Sequence, residues 1–82
     1  MVWVTHAIHT GDYCLHVTFN DGTEGDVDLR ETIFNDSRRV FQELRDIERF
    51  RKFRVDMDTV VWENALDLAP EYLNDHVQIT AR

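Results

Sequence analysis

The chain has 82 residues and a formal net charge of −7, from 16 acidic and 9 basic side chains. This length corresponds to one small domain, 1–82, with little room for a large cofactor cleft beside a core. The negative charge disfavours wholesale binding to nucleic acid or to an anionic membrane and favours cationic partners. One cysteine excludes an intramolecular disulfide framework, and no apolar run approaches the roughly 18 residues of a membrane span. No secretory signal is visible, so a cytoplasmic protein is expected.

Residues 2–29 have the alternating pattern of an antiparallel β-meander. In the first strand, residues 2–9, the alternation places Val4, His6 and Ile8 on one face. Residues with branched β-carbons are frequent here, as is typical of strands. A meander of this kind is expected to bury one face and to leave the other face in water.

A hairpin turn at Asp21-Gly22 is expected to join the second and third strands. Both central residues of the predicted type I′ turn adopt positive φ, which aspartate and glycine tolerate. The return strand, residues 24–29, has its apolar residues on one face. Its other face is acidic and is expected to lie in water, because it carries Glu24, Asp26 and Asp28.

Residues 37–52 predict a helix that is broken near Asp46. Apolar residues in the range 40–47 follow helical spacing and form one stripe. On an unbroken helix, Phe50 would lie about 80° away from Val40 and outside that stripe. A phenylalanine is unfavourable in water, so we expect a second short helix that begins at Asp46 as its capping residue.

The last part of the chain, from residue 53 onward, predicts a β-hairpin followed by a short helix. The hairpin spans residues 53–62, and the helix, residues 70–74, begins at Pro70, which suits a first helical position. Residues 75–82 fit a frayed end, an edge strand or a strand donated to a neighbouring chain. The predicted fold class is therefore α+β.

Residues 38–54 form a cationic segment, with seven basic and three acidic groups, between two acidic segments. Our main interpretation is that this segment packs beside acidic strands, so that the charges neutralise each other. The alternative is a basic patch for an acidic ligand such as nucleic acid, comprising Arg38, Arg39, Arg45 and Arg49. The predicted break in the helix argues against the patch, because only an unbroken helix aligns these side chains within about 60°.

The histidines form no recognisable catalytic or metal-binding motif. His6 and His9 lie three residues apart on a strand, so they point to opposite faces. A small metal-dependent enzyme built on His6, His16 and Asp28, or on Asp26 in place of Asp28, is an alternative hypothesis. We expect no catalytic residue, no metal site and no cofactor.

The loop after the second hairpin contains Trp62, Asn64, Asp67 and, beyond Pro70, Tyr72. Asparagine tolerates left-handed φ, and an aspartate in a loop can accept hydrogen bonds from nearby N–H groups. These properties fit a loop staple that serves the fold. They also fit a recognition loop that presents Trp62 and Tyr72 to a partner, because both residue types are enriched at interfaces. Both interpretations stay open at this point.

Three segments have an order and spacing that is typical of one known family. They are Tyr13-x-Leu15-x-Val17-x-Phe19-x-Asp21-Gly22-Thr23-x-Gly25-x-Val27-Asp28-Leu29, Val40-Phe41-x-x-Leu44-x-Asp46-x-x-x-Phe50 and Trp62-x-Asn64-x-x-Asp67-Leu68-Ala69-Pro70-Glu71-x-Leu73. On these segments, residues 3–73 resemble the prokaryotic family named domain of unknown function 2442. In the loop of that family, proline, glycine and a small residue usually stand at the positions of Glu63, Ala65 and Leu66.

The resemblance implies a small α+β fold without an established activity. Some members of that family resemble one half of a two-gene pair, interpreted as a toxin and its antitoxin. An acidic module that masks a basic partner agrees with the net charge of −7. We therefore expect a non-enzymatic protein-interaction module, antitoxin-like, whose partner is a small basic protein encoded by the neighbouring gene. A nucleic-acid-associated transcriptional regulator and the small metal-dependent enzyme are the alternatives, and the interaction module is also compatible with a homodimer.

Overall fold

A computed structural model describes residues 1–81, and the side chains of residues 1–77. Its elements in chain order are β1 (Val4–Gly11), β2 (Cys14–Phe19), β3 (Glu24–Asp28), α1 (Arg30–Asn35), α2 (Arg39–Glu43), α3 (Ile47–Phe50), β4 (Phe53–Asp56), β5 (Thr59–Trp62), β6 (Asp67–Leu68), α4 (Pro70–His76) and β7 (Gln78–Ala81). The strands form a four-stranded sheet, β1-β2-β3-β7, and a three-stranded sheet, β4-β5-β6. All neighbouring strands pair antiparallel, and the predicted α+β class is confirmed. We call the two sheets the large sheet and the small sheet.

The meander β1-β2-β3 is confirmed, but the predicted faces of β1 are wrong beyond Val4. Val4 pairs with Phe19 and His6 pairs with Thr18, so one extra residue is inserted into β1 between them. Such a bulge reverses the alternation of the residues that follow it, here from His6 to His9, where a second register shift occurs. Val4 therefore stays buried, whereas Ile8 is 61% exposed.

The turn between β2 and β3 also differs from the predicted type I′ geometry. Only Gly22 has positive φ, at +87°, and Asp21 does not. The Gly22 amide donates to the Phe19 carbonyl at 3.0 Å, and the Phe19 amide donates to the Thr23 carbonyl at 2.9 Å. Leu15 pairs with Val27 in the resulting register, so the apolar residues of β2 and β3 share the buried face.

The predicted break in the central helix is confirmed. α2 and α3 are separate, and the Asp46 side chain caps α3 by accepting a hydrogen bond from the Glu48 amide at 3.0 Å. α1 is absent from the sequence-based prediction, because six residues are too few to show a helical period. None of the helices in the described residues has the length and apolar character needed to cross a membrane.

The hairpin β4-β5 and the helix α4 are confirmed, and α4 continues two residues further than predicted, to His76. β6 is a short addition to the small sheet that the sequence did not indicate. The sequence of residues 75–82 fits a frayed end, an edge strand or a donated strand. In the structure this segment contains β7, which pairs with β3 at the edge of the large sheet. Arg82 lies outside the described residues.

The core lies between the inner face of the large sheet, the helices and β5. Trp62 is buried at its centre, and its indole Nε1 donates to the Phe50 carbonyl at 2.7 Å. The side chains of this core are Val4, Tyr13, Leu15, Val17, Phe19, Val27, Leu29, Ile33, Phe41, Leu44, Phe50, Val60, Trp62 and Leu73. Because one face of the large sheet is buried in this way, its polar residues are left on the opposite face.

Candidate functional site

The large sheet has one apolar, buried face and one polar face, which we call the outer face. The side chains of the outer face are half-buried or exposed, in contrast to the buried residues that alternate with them. Alternation and strand register assign to it His6, Ile8, Cys14, His16, Thr18, Glu24, Asp26 and Asp28. The predicted acidic face of the third strand is part of this surface.

His16 lies between two carboxylates of β3. It stands directly opposite Asp26, with its Nδ1 at 2.9 Å from Asp26 Oδ1, and its Nε2 is 3.1 Å from Glu24 Oε1. Both ring nitrogens can donate only when the imidazole is protonated. The hydrogen bonds with Asp26 and with Glu24 therefore raise the pKa of His16 above its usual value. The outer face thus has a cation among its carboxylates at low pH.

Two large apolar side chains accompany these charges. Ile8 lies directly opposite His16 on β1 and is 61% exposed. Trp3 precedes the buried Val4, so alternation places it on the outer side, and it is 39% exposed. The hydrophobic pattern of the sequence did not place Ile8 on this side, because the bulge in β1 that follows Val4 leaves no trace in that pattern.

The structure does not assemble the metal site considered from the sequence. His6 pairs with Thr18 and has no carboxylate within hydrogen-bonding distance among the described residues, while His16 is engaged by Asp26 and Glu24. Within residues 1–81, no group of three or more histidine, cysteine or carboxylate side chains is arranged to hold a metal ion. The donor atoms near His16 thus form hydrogen bonds with each other.

Cys14 is half-buried on the same face, close to several carboxylates. Its burial, followed by the negative charges of Asp28, Asp12 and Asp26, raises the pKa of the thiol. A nucleophilic cysteine needs the opposite shift, because the thiolate is the reactive form. The environment of Cys14 therefore favours an unreactive thiol.

Two arginines of the predicted basic patch are engaged within the chain. Arg38 forms an ion pair with Asp36 at 2.8 Å, which lowers the pKa of that carboxyl group. The Arg45 guanidinium donates to the carbonyls of Ile33, Phe34 and Asp36, at 3.5, 3.1 and 3.4 Å. Arg45 thereby satisfies carbonyl groups at the end of α1 that lack a helical partner.

Arg39 and Arg49, the other two members, are exposed. Arg49 lines a groove of about 360 Å³ between α3 and the loop after β5, together with Lys52 and Glu63. None of the other three arginines lines this groove. The four guanidinium groups therefore do not share one site.

The loop after β5 is held to α2 by Asn64. The Asn64 Nδ2 donates to the Val40 carbonyl at 3.1 Å and to Glu43 Oε1 at 2.9 Å, while its Oδ1 accepts from the Leu66 amide at 3.2 Å. Ala65 has a φ of +71°, in the left-handed region that favours glycine. Asn64 therefore closes the loop and fastens it to the helix.

The remaining loop residues lie in different environments. Trp62 is 2% exposed and belongs to the core, so its indole faces no partner from outside. Asp67 is exposed on β6. The Tyr72 hydroxyl contacts the Thr32 hydroxyl at 2.5 Å, and its ring stacks on His76 with centroids 4.1 Å apart. The structure thus buries Trp62 in the core, uses Asn64 to fasten the loop to α2, and places Tyr72 of α4 against Thr32 of α1.

Comparisons with known proteins identify a family and no individual relative. Searches of curated proteins and of solved structures each found no match. The model of the family described as "Protein of unknown function (DUF2442)" matches residues 4–78, which is nearly the whole chain. This range contains β1 to β6, the four helices and the outer-face residues from His6 to Asp28, whereas Trp3 and most of β7 lie outside it. The chain therefore belongs to the DUF2442 family of proteins of unknown function.

Proposed function

We propose that this protein is a non-enzymatic docking module whose outer face binds a basic, amphipathic segment of another protein. One observation carries the proposal: three carboxylates of β3 share a solvated sheet face with one exposed apolar side chain, and a second exposed apolar side chain directly precedes the first strand of that sheet. The carboxylates belong to Glu24, Asp26 and Asp28, and the apolar side chains belong to Trp3 and Ile8. A partner segment with arginine or lysine on one side and apolar residues among them complements this face.

The charge distribution supports a cationic partner. The first 37 residues contain seven acidic side chains and one basic side chain, and the whole chain has a net charge of −7. A field of this sign attracts basic proteins and accelerates their association. The apolar residues supply the other contribution, since tryptophan in particular is enriched among residues that dominate binding energy.

The partner that we propose is a small basic protein encoded by the neighbouring gene, which this module masks in the manner of an antitoxin. Charge complementarity and the gene pairs of the family support this assignment. A second copy of the chain is a weaker candidate for the outer face. A two-fold dimer through this face would place like charges opposite each other, which is unfavourable.

Binding of a synthetic oligoarginine peptide at low ionic strength, followed by calorimetry, tests the docking face. We expect Asp26→Asn to weaken binding about two- to fivefold, as is typical for one exposed ion pair. Asp67→Asn is the matched control, because Asp67 is exposed on the small sheet and its loss changes the net charge equally. Equal effects of the two substitutions would contradict a specific docking face and leave only a general attraction.

Co-expression with the product of the neighbouring gene tests the biological partner. We expect the two proteins to purify together and the triple variant E24Q/D26N/D28N to lose the complex. A chain that stays alone at micromolar concentration contradicts the antitoxin-like role. Retention on heparin that disappears with Arg39→Gln would favour the nucleic-acid hypothesis instead, because binding to a polyanion requires unpaired basic groups.

A further inference from the structure

We infer that pH regulates docking to the outer face through His16, an inference that rests on the proposed function. In the free protein, protonated His16 bridges Asp26 and Glu24 and occupies the carboxylates that a guanidinium group of the partner would bind. Loss of the ring proton with rising pH releases one of these two carboxylates, and the affinity for a basic segment increases.

The geometry of the three side chains explains the effect. The two contacts, 2.9 Å to Asp26 and 3.1 Å to Glu24, use both ring nitrogens of His16. A neutral imidazole has one N–H group, so one of the two carboxylates loses its donor when the ring loses its proton. The outer face then gains one unit of negative charge and one carboxylate without a partner.

The released carboxylate suits arginine better than lysine. A guanidinium group presents its N–H donors in a planar fork that matches a carboxylate, whereas an ammonium group is a compact charge. Glu24 and Asp26 occupy alternate positions of β3, which lie about 7 Å apart along a strand. An extended partner segment with arginines at alternate positions has the same spacing.

The neighbouring strands contribute few other titratable groups. The positions that surround His16 are Ile8 and His6 on β1, Cys14 and Thr18 on β2, and Glu24, Asp26 and Asp28 on β3. The thiol of Cys14 has a raised pKa and stays protonated in the range where a histidine titrates. His6 has no carboxylate partner among the described residues, so it provides a matched control on the same face.

The test is the affinity for an oligoarginine peptide at about pH 5.5 and about pH 8.5, on either side of the histidine range. Arginine stays charged at both values, so any change in affinity belongs to this protein. We expect binding by the natural chain to be about two- to fivefold tighter at the higher pH, as one additional exposed ion pair implies.

Two substitutions of His16 separate the states of the switch. His16→Gln removes the cation, and we expect tight binding at both pH values. His16→Lys makes the cation permanent, and we expect weak binding at both. His6→Gln is expected to keep the pH dependence of the natural chain.

The outcomes distinguish the switch from the docking module. If His16→Gln keeps the full pH dependence, the switch is wrong although docking stands. If the natural chain binds oligoarginine at neither pH, the docking face is wrong and the switch falls with it. Circular dichroism of each variant verifies that a loss of binding does not come from unfolding.

Discussion

The acidic outer face and the basic segment, residues 38–54, use charge in opposite ways. In the basic segment, Arg38 pairs with Asp36, and Arg45 binds three backbone carbonyls at the end of α1. On the outer face, two of the three carboxylates of β3, Glu24 and Asp26, share the imidazole of His16. The basic groups thus serve the fold to a large extent, whereas the acidic groups exceed what the fold can neutralise.

This difference shows that the number of charges in a segment is a poor guide to a binding surface. In the sequence, the basic segment looks like the better candidate for a binding surface, because its charge is opposite to that of both neighbouring segments. A cation that already binds carbonyl groups cannot leave them for a ligand without giving up those hydrogen bonds, two of which are partly buried in the case of Arg45. Surface carboxylates with few partners can change partners at little cost, because water solvates them between the two states.

Substitution of the two tryptophans gives the largest expected effect, because Trp62 lies in the core whereas Trp3 lies beside the outer face. We expect Trp62→Ala to lower the free energy of unfolding by about 3–5 kcal/mol, through a core cavity and the lost hydrogen bond to Phe50. Trp3→Ala should lower that free energy by less than Trp62→Ala does, because Trp3 is 39% exposed, and should weaken oligoarginine binding as well. Urea unfolding and calorimetry measure the two quantities. A large loss of stability in Trp3→Ala would place Trp3 in the core.

Arg45 tests whether the basic segment is architectural. We expect Arg45→Lys to lower the free energy of unfolding by about 1–2 kcal/mol, because an ammonium group cannot reach three separate carbonyls. Arg39→Lys, at an exposed arginine with no ion pair among the described residues, should leave stability unchanged. Thermal unfolding at constant salt compares the pair. Equal melting temperatures would mean that the carbonyl contacts of Arg45 contribute nothing.

Ala65 tests the backbone of the loop that Asn64 fastens to α2. Ala65 holds a left-handed φ of +71°, which an alanine adopts only at a cost. We expect Ala65→Gly to raise the free energy of unfolding by about 0.5–1 kcal/mol. Glycine removes the cost of the left-handed conformation, and the greater freedom of glycine in the unfolded chain offsets part of that gain. Chemical unfolding measures the change. A destabilised Ala65→Gly variant would contradict the left-handed conformation.

The pH dependence of stability gives the smallest expected effect. Because carboxylates raise the pKa of His16 in the folded chain, its contribution is complete below the unfolded pKa of about 6.5 and is lost as pH rises through the folded pKa. We expect this loss to be less than about 1 kcal/mol, because the carboxylates are exposed. The free energy of unfolding, measured against pH for the natural chain and for His16→Gln, isolates the contribution of His16. Parallel curves for the two chains would contradict this contribution.

The hairpin between β2 and β3 shows why part of the site escaped prediction. Leu15 and Val27 can share a buried face only when an odd number of residues joins the strands, so a two-residue turn conflicts with the alternation. The observed turn, with Gly22 alone at positive φ, removes the conflict and places His16 opposite Asp26. The sequence therefore contained enough information for this pair, but not for the contact of His16 with Glu24.

Local patterns in the sequence determined the meander, the broken helix with its Asp46 cap, the second hairpin and the acidity of one sheet face. Each of these depends on the period of a single element or on one turn, and both are written in neighbouring residues. Tertiary structure alone decided the bulge in β1, the exposure of Ile8, the partners of Arg45 and the short elements α1 and β6. These features depend on contacts between segments distant in the chain, where packing and hydrogen-bond satisfaction outweigh local preference.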